Sequence, residues 1–253
     1  MQEDVYLKQI LAEMSKLGMS VVYIGRDAVG SSNKTQTMFG IGIDAPTFSF
    51  GSLCTRDRIK ELSDRINKFP DTTISFKIQP NEEVRSIEIK SKNGKIKTTF
   101  TCMKESVIYG REKTLEDIAG GANASPREKP PKRLNLKDTF NIGNFSSEDY
   151  SDIKDLAKMI NSDTLLFESD KLTAVKITLV SELNAERGSM LLNTTINPLT
   201  DSTEFCYRYN VSDILLINNL YPTLTNIIMC NNGVLKFPTE LMNIYITPIK
   251  NII

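Results

Sequence analysis

Apolar residues recur at three- and four-residue steps between Gln2 and Leu17, at Tyr6, Leu7, Ile10, Leu11, Met14 and Leu17. That spacing places them on one stripe of an α-helix, and Gly18 is a natural stop. The pattern then shortens. Ser20–Ala28, Gln36–Asp44 and Pro46–Ser52 are β-branched or aromatic runs divided by Gly, Asn, Ser and Pro, which predicts strands with turns. A second helix is predicted from Thr55, as its N-cap, to Phe69, with Ile59, Leu62, Ile66 and Phe69 on one stripe and Pro70 ending it. Strands follow at Thr72–Pro80, Val84–Lys92 and Lys95–Met103, and Asn93-Gly94 marks a hairpin between the last two.

The same alternation returns further on. Asp138–Phe145 predicts a strand, and Ser146 with Asp149 three residues later is a weak capping box for a helix with Ile153, Leu156, Ala157 and Ile160 on its buried stripe. Strands are predicted at Asp163–Ser169, Leu172–Val180, Gly188–Ile196 and Thr203–Asn210. A short helix over Val211–Asn219 precedes strands at Thr223–Cys230, Gly233–Pro238 and Leu241–Ile249. Each half thus reads helix, strands, helix, strands, a duplicated domain of α+β class with helices on one face of antiparallel sheets.

Between the halves lies Gly110–Lys137, with Gly120-Gly121, Pro126 and Pro130-Pro131 among basic residues that include Arg127, Lys129, Lys132 and Arg133. That is linker chemistry, flexible at the glycines and extended at the prolines. The expected organisation is an N-terminal domain over 1–109, a linker over 110–137 and a C-terminal domain over 138–253.

Composition narrows the chemistry. Among 253 residues there is no histidine, so no Ser-His-Asp or Cys-His catalysis and no histidine metal site is available. Cys54, Cys102, Cys206 and Cys230 are far apart, which predicts reduced thiols in an intracellular protein. The start carries no signal-peptide pattern, and the apolar stretch Ile214–Met229 is interrupted by Asn218, Asn219, Pro222 and Asn226, so a protein of the host-cell cytoplasm with no membrane span is expected.

Familiar motifs fail on context. Gly25-x4-Gly30-Ser31 has the glycines of a phosphate loop with serine where its lysine belongs. Gly40-x-Gly42-x-x-Ala45 matches a dinucleotide fingerprint but is followed by Pro46 and a strand instead of a helix. The carboxylate pairs (Glu3/Asp4, Glu82/Glu83, Glu148/Asp149, Asp152/Asp155) sit at helix starts and turns among lysines. No enzyme is predicted, and no cofactor or metal.

What remains is positive charge on the helices. Lys8 and Lys16 lie away from the apolar stripe of the first helix. The second is expected to carry Arg56, Arg58, Lys60, Arg65 and Lys68, and the third holds Lys154 and Lys158 one turn apart. The last helix has no Lys or Arg. A solvated face with i,i+4 pairs accounts for such a pattern, and so does a row of cations meeting a phosphate backbone.

This grammar resembles that of DNA sliding clamps, the polymerase processivity factors, and more narrowly the two-domain clamps of T-even-type tailed bacteriophages. The stretch that carries the likeness best is Thr203–Lys250, with its strand, short helix, strand, hairpin and closing strand, ending in Ile244-Tyr245-Ile246-Thr247-Pro248-Ile249; Ser146–Ile160 followed by Asp163–Ser169 resembles a clamp domain's opening helix and first strand. The resemblance implies a homotrimeric ring of six similar domains around duplex DNA. Lys8, Lys16, Arg56, Arg58, Lys60, Arg65, Lys68, Lys154 and Lys158 would be DNA-facing. A DNA polymerase and a clamp loader would be partners, docking peptides near Leu115, Ile118, Thr247, Pro248 and Ile249. Two rival readings stand beside it: an oligomeric viral structural protein with no DNA inside, and a carboxylate-and-metal nuclease, against which the absence of histidine counts.

Overall fold

The structure, a computed structural model, describes residues 2–68, 71–105, 107, 136, 138–142, 145–169, 175–181, 187–192, 196–198 and 205–249. The fold is α+β, built of helices and antiparallel sheets. It divides into two compact units, one of Met1–Leu134 with Glu240–Asn243, the other of Asn135–Thr239 with Ile244–Ile253. Within the segment read as a linker, all but Leu136 lies outside the described residues.

In the first unit α1 (Glu3–Lys16) leads into β1 (Met19–Gly25), β2 (Val29–Asn33), β3 (Met38–Gly42) and β4 (Ser52–Arg56), then α2 (Ile59–Asn67), β5 (Thr73–Ile78), β6 (Val84–Lys90) and β7 (Lys97–Thr101). The first four strands pair in the order β3-β2-β1-β4 and the last three as β5-β6-β7. Helices α1 and α2 pack on each other and on β1. Tyr6, Leu7, Ile10, Leu11 and Met14 are buried, as the periodicity predicts. An aromatic chain runs through this core, from Tyr6 to Phe48 at 6.2 Å, to Phe50 at 5.2 Å and on to Phe76 at 4.8 Å between ring centroids.

Two expectations fail here. Thr55 is no N-cap; it lies in β4 opposite Val22, almost wholly buried, and the helix begins after Arg58 without a side-chain cap. The run Pro46–Gly51 is no strand either. Phe48 and Phe50 anchor it in the core, while the Phe48 N–H donates to Arg26 O (2.9 Å) and the Gly51 N–H to Glu82 O (3.0 Å). Strand β2 has no apolar alternation to announce it, because its buried centre is Gly30, Ser31 and Ser32. It forms as the return arm of a hairpin whose turn is closed by Gly25 N–H to Ala28 O (2.7 Å). The glycines of the supposed phosphate loop are therefore strand residues. Gly40 and Gly42 are too: a Cβ on Gly42 would collide with Tyr6 and Val29, so those glycines serve close packing.

The second unit contains β8 (Asp138–Ile142), α3 (Ser147–Met159), β9 (Thr164–Ser169), β10 (Val175–Val180), β11 (Arg187–Leu192), β12 (Ile196–Pro198), β13 (Phe205–Asn210), α4 (Val211–Leu220), β14 (Ile227–Cys230), β15 (Leu235–Pro238) and, from Ile244 onwards, β16 (Met242–Ile246). The capping box of α3 is complete: Asp149 N–H donates to Ser146 Oγ (3.2 Å) and Ser146 N–H to Asp149 Oδ2 (2.6 Å). Two sheets form, β11-β10-β9-β13 and β12-β8-β14-β15-β16, and α3 packs on α4. Their pairing has an internal two-fold logic. The strand before α3 (β8) joins the strand after α4 (β14), and the strand before α4 (β13) joins the strand after α3 (β9). Each strand-helix-strands half thus lends its leading strand to the other half's sheet. The first unit repeats the scheme where β4, before α2, joins β1, after α1.

Turn geometry fixes the hairpins. Between β14 and β15, Gly233 adopts φ +73°, and a Cβ there would run into the Tyr207 ring. Among the described residues no helix is long and apolar enough to cross a membrane.

On the outer face of β5-β6-β7, Lys90 lies directly opposite Lys97, a like-charge pair that opposes pairing. Glu88 resolves it, with a carboxylate oxygen 2.6 Å from each ammonium. Hydrogen bonds from Lys90 and then Lys97 hold the Glu88 carboxyl down at about 2. Its folded pKa lies below the ordinary value near 4.3, so the stabilisation is complete above about pH 4.3 and is lost as pH falls towards about 2. In thermal melts, Glu88→Gln should therefore lie below the parent at neutral pH, and that gap should close between about pH 4 and 2. A gap independent of pH would show that packing, and not charge, was lost.

Candidate nucleic-acid interface

Helix α3 shows its charge in two stripes. Ser147, Ser151, Lys154 and Lys158 are all exposed and follow one another at three- and four-residue steps, so they share a face. Glu148, Asp152 and Asp155 form the neighbouring stripe, beside Met159, which is 78% exposed. The opposite side, Tyr150, Ile153 and Ala157, is buried. Lys154 and Lys158 make no ion pair with a described residue, which leaves two mobile ammonium groups about 6 Å apart along the axis, flanked by hydroxyls.

Helix α2 is built differently. A shallow hollow of about 490 Å³ runs along it, lined by Asp57, Arg58, Lys60, Glu61, Asp64, Arg65 and Lys68. Arg58 grips Glu61 through two bonds, at 2.7 and 2.9 Å, and its guanidinium lies 4.5 Å from the centre of the Phe100 ring. The bond to Glu61 raises the Arg58 pKa, and the same bond lowers that of Glu61. Arg65 shares the Glu61 carboxylate at 2.5 Å and with its other nitrogen donates to Thr99 O (2.8 Å) and Thr98 Oγ1 (3.2 Å), so it fastens α2 to β7. Lys60 and Lys68 remain exposed, with no ion pair to a described residue.

The remaining expected cations are scattered. Lys8 is half-buried and donates to Thr72 O (3.1 Å), and Lys16 pairs with Glu13 at 3.5 Å. Arg56 belongs to β4 and not to α2, where it was expected, and its Nε lies 3.5 Å from Asp57. The pairing of Thr55 with Val22 keeps the chain extended through this position. Helix α4 exposes Ser212 and Asn219 and offers no cation. Leu115 and Ile118 lie outside the described residues. Thr247, Pro248 and Ile249 are half-buried after β16, and the Ile249 N–H donates to Arg208 O (2.7 Å).

The thiols show no activation. Burial pushes Cys102 and Cys230 up to about 12 and Cys54 well above its ordinary value, and the exposed Cys206 is raised by desolvation and by Glu168. Among the described residues no His, Cys, Asp or Glu cluster is arranged to hold a metal ion. What the helices offer chemically is ammonium groups for non-directional contact with anions. No protein-family model and no curated protein matches the chain.

Proposed function

We propose that this chain is a sliding clamp: copies close into a homotrimeric ring around duplex DNA and tether a DNA polymerase, with a clamp loader to open the ring. The observation that carries this reading is the recurrence in both units of paired helices on antiparallel sheets, with the strand before the second helix joining the strand after the first. A ring of such units needs no tight grip, because topology prevents sideways escape. Point-charge contacts from Lys60, Lys68, Lys154 and Lys158 suit that task, since a phosphate backbone looks alike at every register. Arg58 and Arg65 spend much of their donor capacity within the unit and contribute less. Lys8, Lys16 and Arg56 complete the set, and a partner peptide would dock beside Thr247, Pro248 and Ile249.

Light scattering at rising concentration tests the assembly, and the expected particle has about three times the 28.4 kDa chain mass. After loading, retention on nicked circular DNA with loss from the linearised form is the expected result. Equal retention on both would end the topological mechanism, and a trimer that never stays on circles would favour a structural oligomer.

A further inference from the structure

Charge is balanced over the chain, with 31 basic and 31 acidic residues, but not locally. Between positions 84 and 104 stand Arg85, Lys90, Lys92, Lys95, Lys97 and Lys104 against one carboxylate, Glu88. Four of these lysines crowd the tip of the β6–β7 hairpin, and the tip is stiff. Gly94 N–H donates to Ser91 O (2.8 Å) at φ +67°, and Ser91 N–H to Ile96 O (2.9 Å). The Asn93 Oδ1 accepts from Ser91 Oγ (2.7 Å) and from Lys95 N–H (3.1 Å). Lysines on such a turn project from fixed points.

The tip meets other cations of the same unit. Lys92 lies 3.3 Å from Asp71, with 79% of its side chain exposed. The next residue, Thr72, receives Lys8 Nζ on its carbonyl, and exposed Lys68 precedes Asp71 by three positions. Lys90, Lys92, Lys95 and Lys97 thus gather at one end of the unit, with Lys8 held beside Thr72, and the ion-pair partners of these lysines among the described residues are Asp71 and Glu88. Lys95 makes no ion pair with a described residue.

We infer that this end of the first unit is a second contact site for nucleic acid, holding the phosphodiester backbone of a duplex by the hairpin tip. All four tip cations are lysines, flexible point charges suited to a diffuse polyanion and not to the bidentate geometry that arginine gives a single carboxylate. A duplex presents one charge for each ~1.7 Å of its axis and releases condensed counterions on contact, a gain that an acidic peptide offers far less of. An anionic bilayer would need a broad apolar face as well, and the exposed apolar side chain at the tip is Ile96 alone among the described residues, at 48%. The site stands whether or not the chain closes into a ring.

The test is binding of the full chain to a short linear duplex, followed by fluorescence anisotropy across a salt series. Lys92→Gln with Lys95→Gln removes two charges that no core contact depends on, and an unchanged melting temperature confirms the fold. Each lost phosphate contact flattens the salt slope by about 0.9, so the double variant should be flatter by about 1.8, and its deficit against the parent should shrink about twelvefold between 50 and 200 mM salt. Parallel titrations use poly-glutamate and vesicles containing an anionic phospholipid. An unchanged slope on the duplex overturns the inference, and so does a larger loss on poly-glutamate or on vesicles. A short linear duplex cannot retain a ring, so this outcome and that of the nicked-circle experiment fail independently.

Discussion

Phe167→Ala should destabilise the second unit by about 3–5 kcal/mol, a large share of the roughly 5–15 kcal/mol available to a domain. Phe167 is fully buried at the centre of β9, between its register partners Ile177 on β10 and Tyr207 on β13. Its ring meets Tyr209 edge-on at 5.5 Å and Phe145 at 6.4 Å, and Phe145 in turn meets Tyr150 at 4.4 Å. One truncation therefore opens a cavity against β13 and the entry to α3. Phe167→Leu keeps most of the volume and should cost under about 1.5 kcal/mol. The same cluster supplies a contrast. Tyr150 Oη is buried with no hydrogen-bond partner among the described residues, so Tyr150→Phe removes an unpaired polar atom and should be neutral or stabilising. Urea denaturation midpoints at constant m-value would measure all three; a Phe167→Ala shift no larger than that of Phe167→Leu would show that the site collapses freely.

Lys154→Glu with Lys158→Glu should weaken retention on circular DNA at least about tenfold, because two phosphate contacts become two repulsions. Both lysines are exposed and carry no structural bond to a described residue, and the buried side of α3 is untouched. Mass in solution and thermal stability should therefore stay at parental values. Matching reversals on the neighbouring stripe, Asp152→Lys with Asp155→Lys, should not weaken retention if the serine–lysine stripe is the one that meets DNA. A fall in oligomer mass on reversing the lysines would place them in an interface between copies.

Much of the fold was legible wherever one physical signal acted alone. The stripe of α1, the capping box of Ser146 and Asp149 and the Asn93-Gly94 turn are local, and local geometry followed them. Misreading occurred where burial came from elsewhere. Strand β2 is buried through Ser31 and Ser32, whose neighbours β1 and β3 cover them, and Thr55 stays in a strand because Val22 pairs with it. The candidate cations show the same limit. A count of charges cannot tell Arg65, fastened to the β7 carbonyl of Thr99, from Lys154, which points to solvent. The run Lys90–Lys97 was plain in the sequence as a hairpin, yet its weight as a charge cluster depends on Asp71 and Lys8 arriving beside it.

The order of residues alone determined the helices and most of the strands between them, and that histidine chemistry is absent. Those properties depend on periodicity and composition, which act over a few neighbouring positions. Only the tertiary structure decided that β8 joins β14 and β13 joins β9, and that Arg58 and Arg65 turn inwards onto Phe100 and β7. Strand partners and ion pairs are chosen by packing between segments many residues apart, where each contact is selected by burial of both sides at once.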